Sequence, residues 1–419
     1  MTLDLSVIRQ QFPSLDRSAV FFDNPGGTQI AKHSLERINR YLLECNANHE
    51  GAFATSQQSD AVLHGAHAAM ADFLNASSPD EIVFGQNMTT LTLHISRSLA
   101  RTLNPGDEIV VTRMDHDANI TPWTLVAEDR GCKVAWVDFD VEDYTLKLDE
   151  FKKALERKPK IVAFGYASNA TGTINPVRKL TKMAKDAGAL VYIDAVQYAP
   201  HGPIDVQDIG CDFLVCSAYK FFGPHVGALY GKLELLEDLK AYKVRPAPDN
   251  PPGKWMTGTQ NHEGIAGVFG ALEHFEWLAE QFAEAQKHSL AEEKIVGRRQ
   301  NLVAAMTAIR AYEFELSRGL IEAIQAVPGT HIHGITDMKR LDERVPTVSF
   351  TLKGRHPREI AEALGKEGFY VWDGNYYALA VTERLGIESS GGMVRVGAAH
   401  YNTVYEVQRF GEALKKVAS

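Results

Sequence analysis

Residues 215–231 read VCSAYKFFGPHVGALYG and hold one lysine, Lys220, in a run of apolar and small residues. A primary amine in such a place is suited to forming a Schiff base with a carbonyl. Alone, it would read as a lysine snorkelling from a strand end. A second residue changes that reading. Asp194 ends the apolar stretch ALVYIDAV, where a carboxylate is costly unless it meets a cation. A protonated pyridine nitrogen is such a cation. An aldehyde cofactor held by a lysine, with a carboxylate on its ring nitrogen, is the arrangement of pyridoxal 5'-phosphate chemistry. Gly223 and Gly227 beside the lysine are expected to leave room for that cofactor.

Short apolar runs alternate with helical patterns around these two residues. DEIVVTR (107–113), CKVAWVDFD (132–140), KIVAFGYAS (160–168), ALVYIDAV (189–196), CDFLVCSAY (211–219) and VGALYG (226–231) read as strands. Helix-like segments at 118–131, 148–158 and 177–188 separate them. Continuously apolar strands divided by helices predict an α/β fold with a mostly parallel sheet covered on both faces. Such sheets collect chemistry at the carboxyl ends of their strands, where Asp194 and Lys220 fall. Beyond residue 260 long helices take over. VPTVSFTLKG (345–354), HPREIAEALGKEG (356–368), FYVWDG (369–374) and GGMVRVGAAH (391–400) then suggest a smaller α+β unit. The expected division is a large domain over 18–290 and a small one from 1–17 with 291–419. The proline-rich stretch 244–255 is a loop within the first.

Composition narrows the class. The 419 residues are 45% hydrophobic and 23% charged, with a net charge of -9, an ordinary globular balance. No block of like charges favours a nucleic-acid partner, and no apolar run reaches the roughly 18 residues a membrane helix needs. The opening MTLDLSVIRQQF lacks the pattern of a signal peptide, so the cytoplasm is the expected location. Cys45, Cys132, Cys211 and Cys216 show no CxxC spacing and read as buried small hydrophobes, with no metal site.

The stretch YIDAVQYAPHGPIDVQDIGCDFLVCSAYKFFGPHVGALYG resembles the class V aminotransferase family, in particular its cysteine desulfurase and selenocysteine lyase group. FFDNPGGTQ, TRMDHDANITPW, ASNATGTINP, MTGTQN and VRVGAAHYNT extend the resemblance in order over most of the chain. It implies the fold type I pyridoxal-phosphate architecture, with a seven-stranded-type sheet. It also implies that Lys220 carries the cofactor and moves protons at the substrate Cα, and that Asp194 pairs with the ring nitrogen. Gln197 would bond the phenolic oxygen, and His116 would stack on the ring. Asn169 would stand near the ring oxygen or the substrate. Phosphate would be held by the Met88 backbone and Thr89 at a helix start, and by Ser217. Tyr219, standing where relatives often carry histidine, would add a hydroxyl. Thr259 would reach the phosphate of a neighbouring subunit, which implies a homodimer. Arg395 would grip the α-carboxylate of a small amino-acid substrate. Plainer roles compete at several positions: an N-cap for Thr89, a turn for Asn169, local backbone bonding for Gln197, an edge-strand surface site for Arg395.

One element of the family pattern is missing. Desulfurases of this group use a cysteine on a loop of the small domain, and here the matching stretch VWDGNYYALAV (371–381) places Tyr377 at or near that position. No cysteine follows Cys216. A phenol of ordinary pKa near 10 cannot carry a transferable persulfide. The expected activity is therefore carbon–sulfur lyase-like but without an enzyme persulfide, and the sequence leaves open whether a sulfur-acceptor protein takes part. Tyr376 and Tyr377 either contact substrate or pack the loop. Amino transfer, epimerisation in the manner of isopenicillin N epimerase, and a non-catalytic scaffold are the alternatives.

Overall fold

Alternate residues of each central strand pack into different cores, and both sets are apolar. Val110, Val162, Phe164, Leu214 and Cys216 belong to one cluster, whereas Ile109, Val111, Ile161, Ala163, Phe213 and Val215 belong to another. A strand turns successive side chains to opposite faces, so a strand apolar at every position must be covered on both. Each fully buried Val, Ile or Leu contributes about 1.5–3 kcal/mol, and that burial holds the layers together.

The computed structural model describes residues 3–419. A short strand β1 (Val20–Phe21) comes first. Strands β2 (Ile82–Gly85), β3 (Glu108–Thr112), β4 (Lys133–Val137), β5 (Ile161–Gly165), β6 (Leu190–Asp194), β7 (Phe213–Ser217) and β8 (Gly227–Gly231) form a seven-stranded sheet in the order β2-β8-β7-β6-β5-β3-β4. Pairing is parallel from β4 to β7, while β8 runs against both of its neighbours. The remaining strands are β9 (Thr330–His333), β10 (Thr347–Leu352), β11 (Phe369–Tyr370), β12 (Trp372–Gly374) and β13 (Met393–Gly397). A four-stranded antiparallel sheet runs β12-β13-β10-β9, and β11 pairs in parallel with β1. The expected α/β class, mostly parallel sheet and smaller α+β unit are all present.

Packing at the seam between the two units is more interlaced than a cut near residue 290. The helix Gly297–Gln325 sends Leu302 and Ile309 into the large core and Leu316, Leu320 and Ile324 into the small one. At the other end of the chain Ile8 and Phe12 join the large core, while Val20 and Phe22 join the small. One continuous helix is thus shared by both cores. Among the described residues no helix is long and apolar enough to cross a membrane. Cys45, Cys211 and Cys216 are buried as expected, but Cys132 is only half-buried. It directly precedes the edge strand β4, whose burial is incomplete because among the described residues no strand pairs on its far side.

Candidate active site

Every strand of the large sheet except β8 ends on the same edge, and that edge faces the small sheet across a cavity of about 1090 Å³. Met88, Thr89, His116, Asn169, Asp194, Gln197, Tyr219, Lys220, Tyr376, Tyr377 and Arg395 all line it. These positions are far apart in sequence; the parallel topology brings their strand ends together.

Lys220 lies in the short turn after β7 and is only 8% exposed. Its ammonium donates to the Pro25 carbonyl. Burial, with Arg395 adding repulsion, lowers its pKa to about 7, against the pull of Asp194. Asp194, the last residue of β6 and 7% exposed, is pushed up to about 6, chiefly by burial. One of its oxygens accepts from the Val196 N–H at 2.9 Å. Desolvation therefore outweighs mutual attraction, and both groups lie near neutrality, where each can exchange a proton.

His116 caps the turn Asp117–Asn119, its Nδ1 accepting from the Ala118 N–H at 3.0 Å. That bond leaves the proton on Nε2, and burial, reinforced by Lys220 and Arg395, lowers its pKa to about 4. The ring is thus a neutral aromatic face. The Tyr377 ring stacks on it, with centroids 5.5 Å apart and planes at 17°.

Arg395 extends from β13 and is buried, its Nη1 donating to the Asn169 carbonyl at 2.8 Å. Its guanidinium rests 4.3 Å from the Tyr376 ring centroid, and its Nε has no partner. Burial lowers its pKa to about 10. Among the described residues no carboxylate pairs with it within 4 Å, an expensive state for a buried guanidinium that a ligand carboxylate would relieve. Asn169 and Gln197 each keep a buried, unpartnered amide oxygen, although Asn169 donates to the Tyr376 carbonyl and Gln197 to the Thr347 hydroxyl. Orphaned polar atoms that line one cavity mark where a ligand's polar groups fit. The donor set suits pyridoxal 5'-phosphate: an amine, a carboxylate, an aromatic face and two amides.

The helix Met88–Ala100 points its start at the cavity. Its cap is Asn87, whose side chain accepts from the Thr90 N–H at 2.9 Å, so Thr89 is not the N-cap. The Met88 N–H is shared with Ser217, whose buried hydroxyl accepts it at 3.0 Å behind the cavity wall. Strand alternation turns Ser217 towards this helix and Cys216 away from it. The glycines after Lys220 serve packing rather than space for a ligand. A Cβ on Gly227 would lie 2.5 Å from the Asn87 backbone, and one on Gly223 would crowd Ala218, while neither glycine lines the cavity. Thr259 sits on an exposed turn outside the cavity of its own chain.

Asp115, Trp372 and His225 are among the lining residues to which the sequence assigns no role. Asp115 is buried, accepting from the Gly165 N–H at 2.8 Å, the Thr112 hydroxyl at 3.0 Å and the Asn119 amide at 3.0 Å. Burial pushes it up to about 8. A carboxylate just past an apolar strand was the signal used for Asp194, and it applied equally here. Trp372 covers Gly26, where any Cβ would strike the indole. His225 stacks on Tyr219 and carried no such signal.

The aminotransferase class-V family matches residues 20–299 and 300–410. An aminotransferase-like protein of Gibberella zeae is 33% identical over 98% of this chain and 97% of its own. A probable cysteine desulfurase of Streptomyces coelicolor is 30% identical over 99% of this chain and 97% of its own. Among solved structures, the apo cysteine desulfurase of Thermococcus onnurineus superposes with a TM-score of 0.87 at 26% identity, covering 100% of this chain and 98% of that one.

Proposed function

This chain belongs to the class V aminotransferase family, and from that premise we propose a pyridoxal-phosphate-dependent enzyme that works at Cα and Cβ of a small amino acid. Its reaction is of the carbon–sulfur lyase type, without an enzyme-borne persulfide. One observation carries the reading: Lys220, Asp194 and Arg395, three buried ionisable groups from two sheets, converge on one cavity.

Arg395 takes the substrate α-carboxylate, with Tyr376 beneath its guanidinium. Lys220 would hold the cofactor through its amine, and that amine would move the proton at the substrate Cα. A pKa of about 7 suits an amine that must accept and return a proton near neutral pH. Asp194 holds the ring nitrogen, Gln197 and Asn169 the phenolic side, and His116 one face of the ring. Thr89 and Tyr219 take the phosphate, Ser217 stays behind the wall where it holds the Met88 N–H, and Thr259 takes the phosphate of a partner in a homodimer. Pyridoxal 5'-phosphate, when bound, supplies the electron sink for negative charge at Cα.

No cysteine lines the cavity among the described residues, and Tyr377 occupies the loop. That supports elimination: the Cα proton leaves to Lys220, the Cβ–S bond breaks with its electron pair on sulfur, and water completes release of ammonia and an oxo acid. Amino transfer is the second reading, favoured by the same lack of a thiol and by the name of the Gibberella relative. Incubation with a panel of amino acids tests both. Sulfide with an oxo acid and ammonia identifies the lyase. Oxo acid with aminated cofactor identifies amino transfer, and racemised substrate an epimerase. A cofactor-loaded protein that leaves every amino acid unchanged is a scaffold.

A further inference from the structure

The phosphate end of the cavity contains a substitution and a neighbour that answers it. Tyr219 stands where the resemblance leads one to expect histidine, and a phenol offers one neutral donor where an imidazole was available. Against that phenol lies another imidazole. The His225 ring stacks on Tyr219 with centroids 5.0 Å apart and planes at 17°, and both rings line the cavity together with Gln86, Asn87 and Thr89.

The backbone places His225 there. Gly227 pairs with Gly85 on one side and Ser217 on the other, so β8 begins between the strand leading into the Met88 helix and the strand leading into Lys220. A Cβ on Gly227 would lie 2.5 Å from the Asn87 backbone, which shows how tightly this segment meets the loop that caps the helix. Two residues earlier, His225 stands exposed at the rim between the helix start and Tyr219. An imidazole keeps at least one N–H whatever its protonation state, and a helix start is a favoured place for an anion. No hydrogen bond holds the His225 ring within the chain among the described residues, so its N–H groups are available to a ligand.

We infer that His225 is a phosphate ligand of the cofactor, restoring with Tyr219 the imidazole donor that position 219 lacks. The inference rests on the pyridoxal-phosphate reading above, and its test separates the two. Apo-protein is titrated with pyridoxal 5'-phosphate and with pyridoxal, which lacks the phosphate, and dissociation constants are read from the absorbance change. His225→Ala and His225→Phe should each weaken pyridoxal 5'-phosphate by about tenfold, the scale of one hydrogen bond to a charged group. Both should bind pyridoxal within about twofold of the parent. His225→Phe keeps the stack on Tyr219 and loses only the N–H groups. Tyr219→His in the His225→Ala background should recover most of the loss. Parent-like affinity of His225→Phe for pyridoxal 5'-phosphate would overturn the inference, as would equal weakening of pyridoxal. A parent protein that takes up neither compound would instead remove the cofactor reading itself.

Discussion

The two walls of the cavity are built on different principles. The large-sheet wall places Lys220, Asp194 and Asp115 directly at or after strand ends, all buried, with their pKa values displaced towards neutrality by lost hydration. The small-sheet wall places Tyr376 and Tyr377 on a turn after β12, both at positive φ (55° and 59°), with Tyr377 74% exposed. Left-handed backbone at two successive tyrosines costs about 1–3 kcal/mol each and persists only where surroundings enforce it. Here the Asn169 amide and the Asp117 N–H hold the carbonyls of Tyr376 and Tyr377, at 2.9 and 2.7 Å. The first wall gathers ionisable groups where water is excluded. The second joins buried groups, Arg395 on β13 and Tyr376 against the large core, to the exposed Tyr377.

The contrast predicts graded effects. Lys220→Ala should keep the fold and cost on the order of 10³-fold or more in turnover, since a covalent step has no substitute. Borohydride-fixed cofactor mapped to another lysine would break that assignment. Asp194→Asn should retain cofactor but lose about 10²-fold, because an amide cannot hold a ring nitrogen protonated. Near-parental kcat would make Asp194 structural. In the apo-protein, the attacking form of Lys220 is the neutral amine. With its pKa at about 7, cofactor uptake should slow about tenfold per pH unit below 7 and level off above it. A profile still rising through pH 9 would show an ordinary lysine.

Effects at the second wall should be smaller. Tyr377→Ala, which removes the stack on His116, should weaken turnover by at most about tenfold, whereas Tyr377→Phe should be close to neutral. The parent incubated with cysteine should gain no cyanide-labile sulfur and no extra sulfur in its intact mass. A persulfide formed at catalytic rates on any of the four cysteines would restore desulfurase chemistry and invert the comparison. Tyr376→Phe removes the hydroxyl that donates to the Met393 carbonyl and should cost only about 1 kcal/mol of stability, seen as a small drop in melting temperature.

Legibility follows the same division. Asp194 and Lys220 were readable because an ionisable residue closing an apolar strand is a local anomaly, visible in a handful of letters. Asp115 is the same kind of anomaly, a carboxylate just past an apolar strand, and its environment is as dry. The competing role of Thr89 as an N-cap falls away because Asn87 caps the helix, and among Asn87, Thr89 and Thr90, which all carry capping side chains, only backbone angles choose. The glycines beside Lys220 suggested room for a ligand, yet their use is backbone approach to Asn87 and Ala218.

Sequence alone determined the α/β class, the double-faced sheet, the strand-end lysine and carboxylate, and the absence of a thiol in the loop. Each follows from residue type and short-range period, which are properties of the chain before it folds. Tertiary structure alone decided that Gly297–Gln325 serves two cores, that Arg395 lies buried over Tyr376, and that His225 reaches Tyr219. These depend on hydration lost when distant segments meet, and no local window of sequence contains both partners.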